Sequence, residues 1–188
     1  MKLLLGNRDF SLLWWSALIS MTGDWALRIA LPVYVYETTG STLATGLMFM
    51  AGTLPRILLG SVAGIFVDRW DYRRTLIAAN LLLGSSLLPL LLVESWLPLV
   101  YLVAAVQAAL AQLVGPAENA ILPKLVPEAQ LASANALNAL NNNLARLVGP
   151  ALGGLGMGLF GLSGVVLLDA ASFGTAAFLL AFVDQLHP

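Results

Sequence analysis

The chain has 188 residues, 59% of them hydrophobic and only 10% charged, with a formal net charge of −1. An average soluble domain carries about 25% charged residues, so this composition, with a mean hydropathy of +0.86, excludes a soluble enzyme, a disordered tail and a basic nucleic-acid binder. A helical span takes roughly 20 apolar residues, and a polytopic membrane protein with six or so short-looped spans is what remains. There is no cysteine, and the one histidine, His187, is penultimate. Disulfides, thiolate metal sites and Cys- or His-based nucleophilic chemistry are thereby removed, and no metal or cofactor is implied.

Lys2 and Arg8 ahead of an apolar run imitate a signal peptide, but Asp9 interrupts the run and no small-x-small cleavage site follows. The run is read as the first span, 10–36, closed by the turn at Glu37-Thr-Thr-Gly40. The second span is 42–67 and ends in Asp68-Arg69-Trp70-Asp71-Tyr72-Arg73-Arg74. The third is 75–93, and the fourth is 99–122, stopping at Pro123-Lys124. The fifth is 128–160, opening after Pro127, and Gly161-Leu162-Ser163-Gly164 turns the chain into the sixth, 165–183. Apolarity on every side, at helical length, favours helices over barrel strands, which alternate with period two.

Six basic residues fall at one set of ends: Lys2, Arg8, Arg69, Arg73, Arg74 and Lys124. The first, third and fifth loops hold no Lys or Arg, so both termini and the even loops are read as cytoplasmic, in a multi-pass cytoplasmic (inner) membrane protein. Shifting the second span by 90 residues onto the fifth aligns Ala44 with Ala134, Leu47 with Leu137, Leu54 with Leu144, Arg56 with Arg146 and Gly64 with Gly154. Three spans separate the copies, so they have opposite topology, as in a 3+3 inverted repeat. Chance similarity in Leu/Ala/Gly-rich text is the competing explanation, and the matched Arg favours a real repeat.

The string Gly64-Ile-Phe-Val-Asp68-Arg69-Trp-Asp71-Tyr72-Arg73-Arg74 resembles the signature loop of the major facilitator superfamily: a Gly, three residues, Asp-Arg, then a basic cluster. In that family the loop holds the two halves of the transporter together in the outward-facing state. Here Asp71 replaces the family's second Gly and Tyr72 a basic residue. Gly149-Pro150-Ala-Leu-Gly153-Gly154 resembles the signature of the family's drug/proton antiporters, with Ala145 where a preceding Gly is usual. Thr22-Gly23-Asp24-Trp25, Pro116-Ala117, Leu122-Pro123 and Ala134-Asn135-Ala136 resemble the branch of macrolide efflux and enterobactin export proteins. The resemblance covers the N-terminal half of such a transporter, so an all-α half of a major facilitator fold is implied. The 188 residues end about where a central cytoplasmic loop would begin. The fourth-span Arg of many proton antiporters is missing; Gln107 is the nearest polar residue. An acidic residue at the cytoplasmic end of the fourth span can bridge to the basic loop in this family, which implies Glu118 with Arg73.

Ionisable residues inside a bilayer cost about 2.5–3.5 kcal/mol each at the helix centre and mark function. Asp24 and Arg28 stand at i and i+4 of the first span and can pair, with Ser16 and Ser20 extending their face. Burial disfavours the charge on Asp24 and Arg28 favours it, which leaves a protonation switch and a permanent ion pair both open. In the fifth span Asn135, Asn138, Asn142, Arg146 and Gly149 form a stripe suited to a substrate path or a hydrogen-bonded helix seam. Arg56 in the second span and Asp169 in the sixth complete the candidate cavity lining, and Asp169 could partner Arg28, Arg56 or Arg146. Met48, Met50 and Met157 are read as filler.

These readings converge on the N-terminal half of a secondary exporter working by alternating access. Its partners would be the bilayer, a C-terminal six-helix half or a second copy, protons, and a drug-like or siderophore-like small molecule. A six-span membrane subunit with no transport of its own is the alternative, and an intramembrane hydrolase is disfavoured because no nucleophile motif is present.

Overall fold

The computed structural model describes residues 2–67, 70–92 and 96–184. Among these, all regular structure is helical: α1 Lys2–Gly6, α2 Arg8–Thr39, α3 Thr42–Val67, α4 Tyr72–Leu87, α5 Pro89–Leu92, α6 Leu97–Leu110, α7 Val114–Leu125 and α8 Leu131–Leu180. Short polar side chains start the helices where backbone N–H groups have no partner. Asn7 caps α2 by accepting from the Phe10 N–H at 3.0 Å, and Asp71 caps α4 by accepting from the Arg74 N–H at 2.8 Å. Gly40 ends α2 in the left-handed region (φ 62°), returning its N–H to the Tyr36 carbonyl.

Three departures from the sequence reading have a local physical cause. The third span, read as continuous over 75–93, is divided at Leu88 into α4 and α5, because Pro89 has no N–H to continue the ladder. The fourth runs further at both ends, Leu97 to Leu125, taking Pro98 into its first turn and relaxing into a 3-10 turn over Ala111–Leu113. The third difference is the turn read over Gly161–Gly164. Only Gly161 is non-helical (φ 66°, ψ −169°), and helix resumes at once, so α8 is two limbs joined at one residue. Residues 128–130 form a separate 3-10 turn before it. Among the described residues, four segments are long and apolar enough to cross a membrane: Thr42–Gly60, Tyr72–Leu92, Leu97–Leu125 and Glu128–Leu180, the last containing Gly161. α2, with Asp24 and Arg28 at mid-length, is not among them.

The largest core joins α2, α4, α6 and α8 through Ala26, Leu31, Leu83, Leu87, Val103 and Phe173, among others. Two smaller clusters lie toward the N-terminal end of α2, around Leu13, Ile121 and Leu180 and around Phe10, Trp14 and Leu122. Tethers at that end are specific. Asn7 donates to the Leu125 carbonyl at 2.6 Å, Lys124 lies 4.7 Å over the Tyr72 ring, and Arg73 donates to the Leu180 carbonyl at 3.2 Å and to the Ala181 carbonyl. The starts of α2 and α4 and the ends of α7 and α8 therefore meet, and Arg8, Arg73, Arg74 and Lys124 gather at one end of the bundle. Elsewhere large apolar side chains point outward, among them Leu47, Phe49, Ile57 and Leu58 of α3 and Leu147, Leu155 and Phe160 of α8. Such a surface is incompatible with water and natural against hydrocarbon.

Candidate functional site

α2 and α8 pack closely because small residues meet at their crossing. A Cβ at Gly149 would lie 2.4 Å from Trp25 Cβ, and one at Gly153 would lie 2.3 Å from the Ala26 carbonyl oxygen. Gly23 serves the same purpose from α2: a Cβ there would meet Ser172 Oγ and Asp169 Oδ1. Close approach of backbones over small residues is how membrane helices associate. It sets Trp25 and the turn after it against α8 and turns Asp24 and Arg28 to the adjoining face.

On that face Arg28 Nη2 and Asp24 Oδ2 pair at 2.8 Å, as i, i+4 spacing allows. Two guanidinium groups approach the Trp25 ring, Arg28 at 4.7 Å and Arg146 at 5.7 Å from its centroid. Two cavities flank the ion pair, and both are lined by it. The outer one, about 210 Å³, lies among α2, α3 and α6; its walls include Trp25, Leu31, Met48, Phe49, Arg56 and Gln107. The inner one, about 260 Å³, lies toward the basic end; Ser20, Asn80, Glu118, Asn119 and Asn142 line it. Along α2 the first runs from Asp24 to Pro32 and the second from Ser20 to Arg28, so the pair is the wall between them. Several polar atoms here lack a partner: Arg28 Nε, Arg56 Nε and Gln107 Oε1 are buried and unbonded. The Gln107 amide nitrogen is held by the Leu83 carbonyl at 2.8 Å and Ser86 Oγ at 3.0 Å, which fixes the side chain between α6 and α4.

Other residues singled out from the sequence take different places. Asp169 lines neither cavity and pairs with none of Arg28, Arg56 or Arg146. It is fully buried where Gly23 makes room, with Oδ1 accepting from Ser172 Oγ at 3.2 Å and Oδ2 unbonded. Glu118 does not bridge to Arg73. The guanidinium of Arg73 is committed to the carbonyls that end α8, where a cation also complements the helix dipole, while Glu118 faces the inner cavity. Asp71 and Tyr72, the two departures from the signature loop, have structural work as cap of α4 and as platform for Lys124. Of that loop, Gly64 lies in α3, and Asp68 and Arg69 are outside the described residues. In the Gly-Pro string, Gly149 and Gly153 make the crossing, helix runs through Pro150, and Gly154 has nothing within 4 Å of its would-be Cβ.

In the polar stripe, Asn142 reaches the inner cavity and Arg146 the Trp25 ring, while Asn135 is exposed and Asn138 is half-buried. The seam belongs to Asn141, which the sequence reading passed over. It is 2% exposed and donates to the Trp14 carbonyl at 2.8 Å, while Trp14 Nε1 donates to the Leu137 carbonyl at 2.9 Å. Asn80, buried in α4, and Asn119 were also passed over. The signal available for Asn141 was its spacing of four and eight residues from Ala145 and Gly149, the small-residue face.

Residues 4–185 match the family model described as transmembrane secretion effector. An uncharacterized MFS-type transporter of Bacillus subtilis (strain 168), YfiS, is 31% identical over 172 residues, which is 90% of this chain and 41% of that protein. Macrolide efflux protein A of Streptococcus pyogenes is 29% identical over 77 residues, 41% of this chain and 19% of that protein. The chain thus spans less than half the length of the curated relatives it matches.

Proposed function

The chain belongs to the transmembrane secretion effectors of the major facilitator superfamily, and from that premise we propose that it supplies the N-terminal, six-crossing half of a proton-coupled exporter. The family is one of multi-pass membrane transporters and not of enzymes. In this reading the limbs of α8 on either side of Gly161 cross separately, α2 crosses despite its polar middle, and the spans are arranged as a 3+3 inverted repeat. The basic end lies in the cytoplasm of a cell-membrane protein, as the positive-inside rule favours. The other half, or a second copy, covers the exposed apolar and cavity faces. The cargo is an amphipathic, drug-like or siderophore-like molecule.

The observation that carries the proposal is the Asp24–Arg28 pair shared by two cavities, one lined along α2 from Asp24 to Pro32 and the other from Ser20 to Arg28. A carboxylate at such a wall can take a proton from one side and lose it to the other when the cavities open in turn. Protonation frees Arg28, and re-ionisation recaptures it, so the occupancy of the pair follows the transport cycle. Asp24 is the proposed proton carrier. Gln107, the polar residue nearest to where the resemblance would place a fourth-span Arg, ties α6 to α4 rather than relaying charge.

The test is compound-driven proton movement in proteoliposomes. They hold the chain either alone or joined to the remainder of the Bacillus subtilis relative, with a pH-sensitive dye inside and a panel of amphipathic compounds outside. Asp24→Asn abolishes the signal while insertion persists. Undiminished proton movement in the variant refutes the carrier role. No movement with any compound in either arrangement refutes the exporter reading in favour of a subunit without transport.

A further inference from the structure

The outer cavity carries more positive than negative charge, and its arrangement says what kind of group it takes. Two guanidinium groups, Arg28 and Arg56, line it, against one carboxylate, Asp24, which Arg28 already occupies. Arg56 has no carboxylate partner among the described residues, and its Nε is buried without a hydrogen bond, as is that of Arg28. Asp169 is sealed behind Gly23, bonded to Ser172 and paired with neither guanidinium. A guanidinium in a low-dielectric wall is retained only where its charge is compensated. Apart from Thr53 and Gln107 the rest of the wall is mainly apolar, with Leu31, Met48, Phe49, Ala104 and Ala108. Gln107, 5% exposed and held rigidly by its amide nitrogen, leaves its Oε1 unbonded at the same cavity.

Resting on the exporter reading, we propose that this cavity is a subsite for the acidic group of an amphipathic organic anion, held by the free donors of Arg56 and Arg28. Guanidinium donors match the geometry of a carboxylate, sulfonate or phosphate and can take it in a forked pair. The apolar wall receives the adjoining part of the molecule, and Gln107 Oε1 accepts from a hydroxyl or N–H near the acid. At about 210 Å³ the space is smaller than the roughly 300–1,000 Å³ of a complete drug-sized site, so it takes one end of the molecule. A cationic drug of the same shape meets two guanidinium groups against one carboxylate and is disfavoured there.

The experiment uses the whole chain in phosphatidylcholine nanodiscs, with equilibrium dialysis of 2-naphthoate and 2-naphthylmethylammonium, two probes of like size and opposite charge, against empty discs. Naphthoate binds at least about tenfold more tightly, a difference of about 1.4 kcal/mol. Arg56→Gln removes the preference, Arg56→Lys retains part of it, and Asp24→Asn, which deletes the one carboxylate among the described residues of the wall, tightens naphthoate binding. A merely structural role for these side chains moves none of the three in that pattern. Equal or stronger binding of the ammonium probe, absence of naphthoate binding, or an unchanged preference in Arg56→Gln overturns the subsite. Adding phosphatidylglycerol identifies the source of the anion: displacement of naphthoate points to a lipid headgroup, undiminished binding to a soluble acid, and both support an anion subsite. Because no proton gradient enters this measurement, its failure leaves the proton-movement test standing, and failure of that test leaves the subsite standing.

Discussion

Gly153 and Gly154 are neighbours in one string, yet the structure separates them sharply. A Cβ at position 153 would lie 2.3 Å from the Ala26 carbonyl oxygen and 2.9 Å from the Ala26 C and Cα, whereas position 154 meets nothing within 4 Å. Ordinary contact begins at 3.4 Å, so Gly153→Ala is too close by about 1 Å. The obstacle is backbone on both helices, and no rotamer change relieves it, so α2 and α8 must part by about that distance. A gap of 0.5–1 Å forfeits roughly a quarter to a half of each dispersion contact it opens, and overpacking costs about 1–3 kcal/mol in general. The absence of any flexible atom places Gly153→Ala at the upper end, about 2–3 kcal/mol. On the scale of domains of 150–250 residues, that is a Tm lowered by roughly 4–12 °C. Gly154→Ala gains the same helix propensity, up to about 1 kcal/mol, without the clash. The assay is thermal unfolding of the detergent-solubilised chain, followed by tryptophan fluorescence. Equal Tm values for the two variants would refute the crossing as the reason for the glycine, as would a neutral Gly153→Ala.

Two further substitutions test the frame around the site. Asn141→Ala removes the bond to the Trp14 carbonyl and lowers stability by about 0.6–1.7 kcal/mol, the span measured for hydrogen bonds between membrane helices; the same unfolding assay reads it, and no loss means the seam is carried by packing alone. Gly161→Ala forces a side chain into φ 66°, ψ −169°, a region that essentially only glycine occupies, at about 1–3 kcal/mol. Amide hydrogen exchange should then show lost protection around the junction of the two limbs, and unchanged protection would contradict the single-residue break.

How much of this was legible in the sequence follows from which physics sets each feature. Helix positions follow from apolar length, so the helices lie along the apolar runs and are broken where a proline or one glycine intervenes. Asp24 with Arg28 was legible because i, i+4 spacing is internal to one helix. The partners of Asp169 and Glu118 were not, since they depend on how helices from distant parts of the chain are rotated. A carboxylate on a helix distant in the chain can face a guanidinium or, as here, a glycine gap.

The limb of α8 before Gly161 shows the division most clearly. Its sequence carries two adjacent faces. One is polar, through Asn135, Asn138, Asn142 and Arg146; the other is small, through Ala134, Asn141, Ala145, Gly149 and Gly153. Periodicity alone determines that both faces exist, and composition alone determines that the surroundings are apolar. Only the tertiary structure decides that the small face is the one pressed against α2. Close backbone approach buries more contact than a polar stripe can offer, and that turns Asn142 toward a cavity and Arg146 toward the Trp25 ring while making Asn141 the buried tether. The same rotation puts the Asp24–Arg28 pair at the wall between two cavities, a position that no spacing along a single helix specifies.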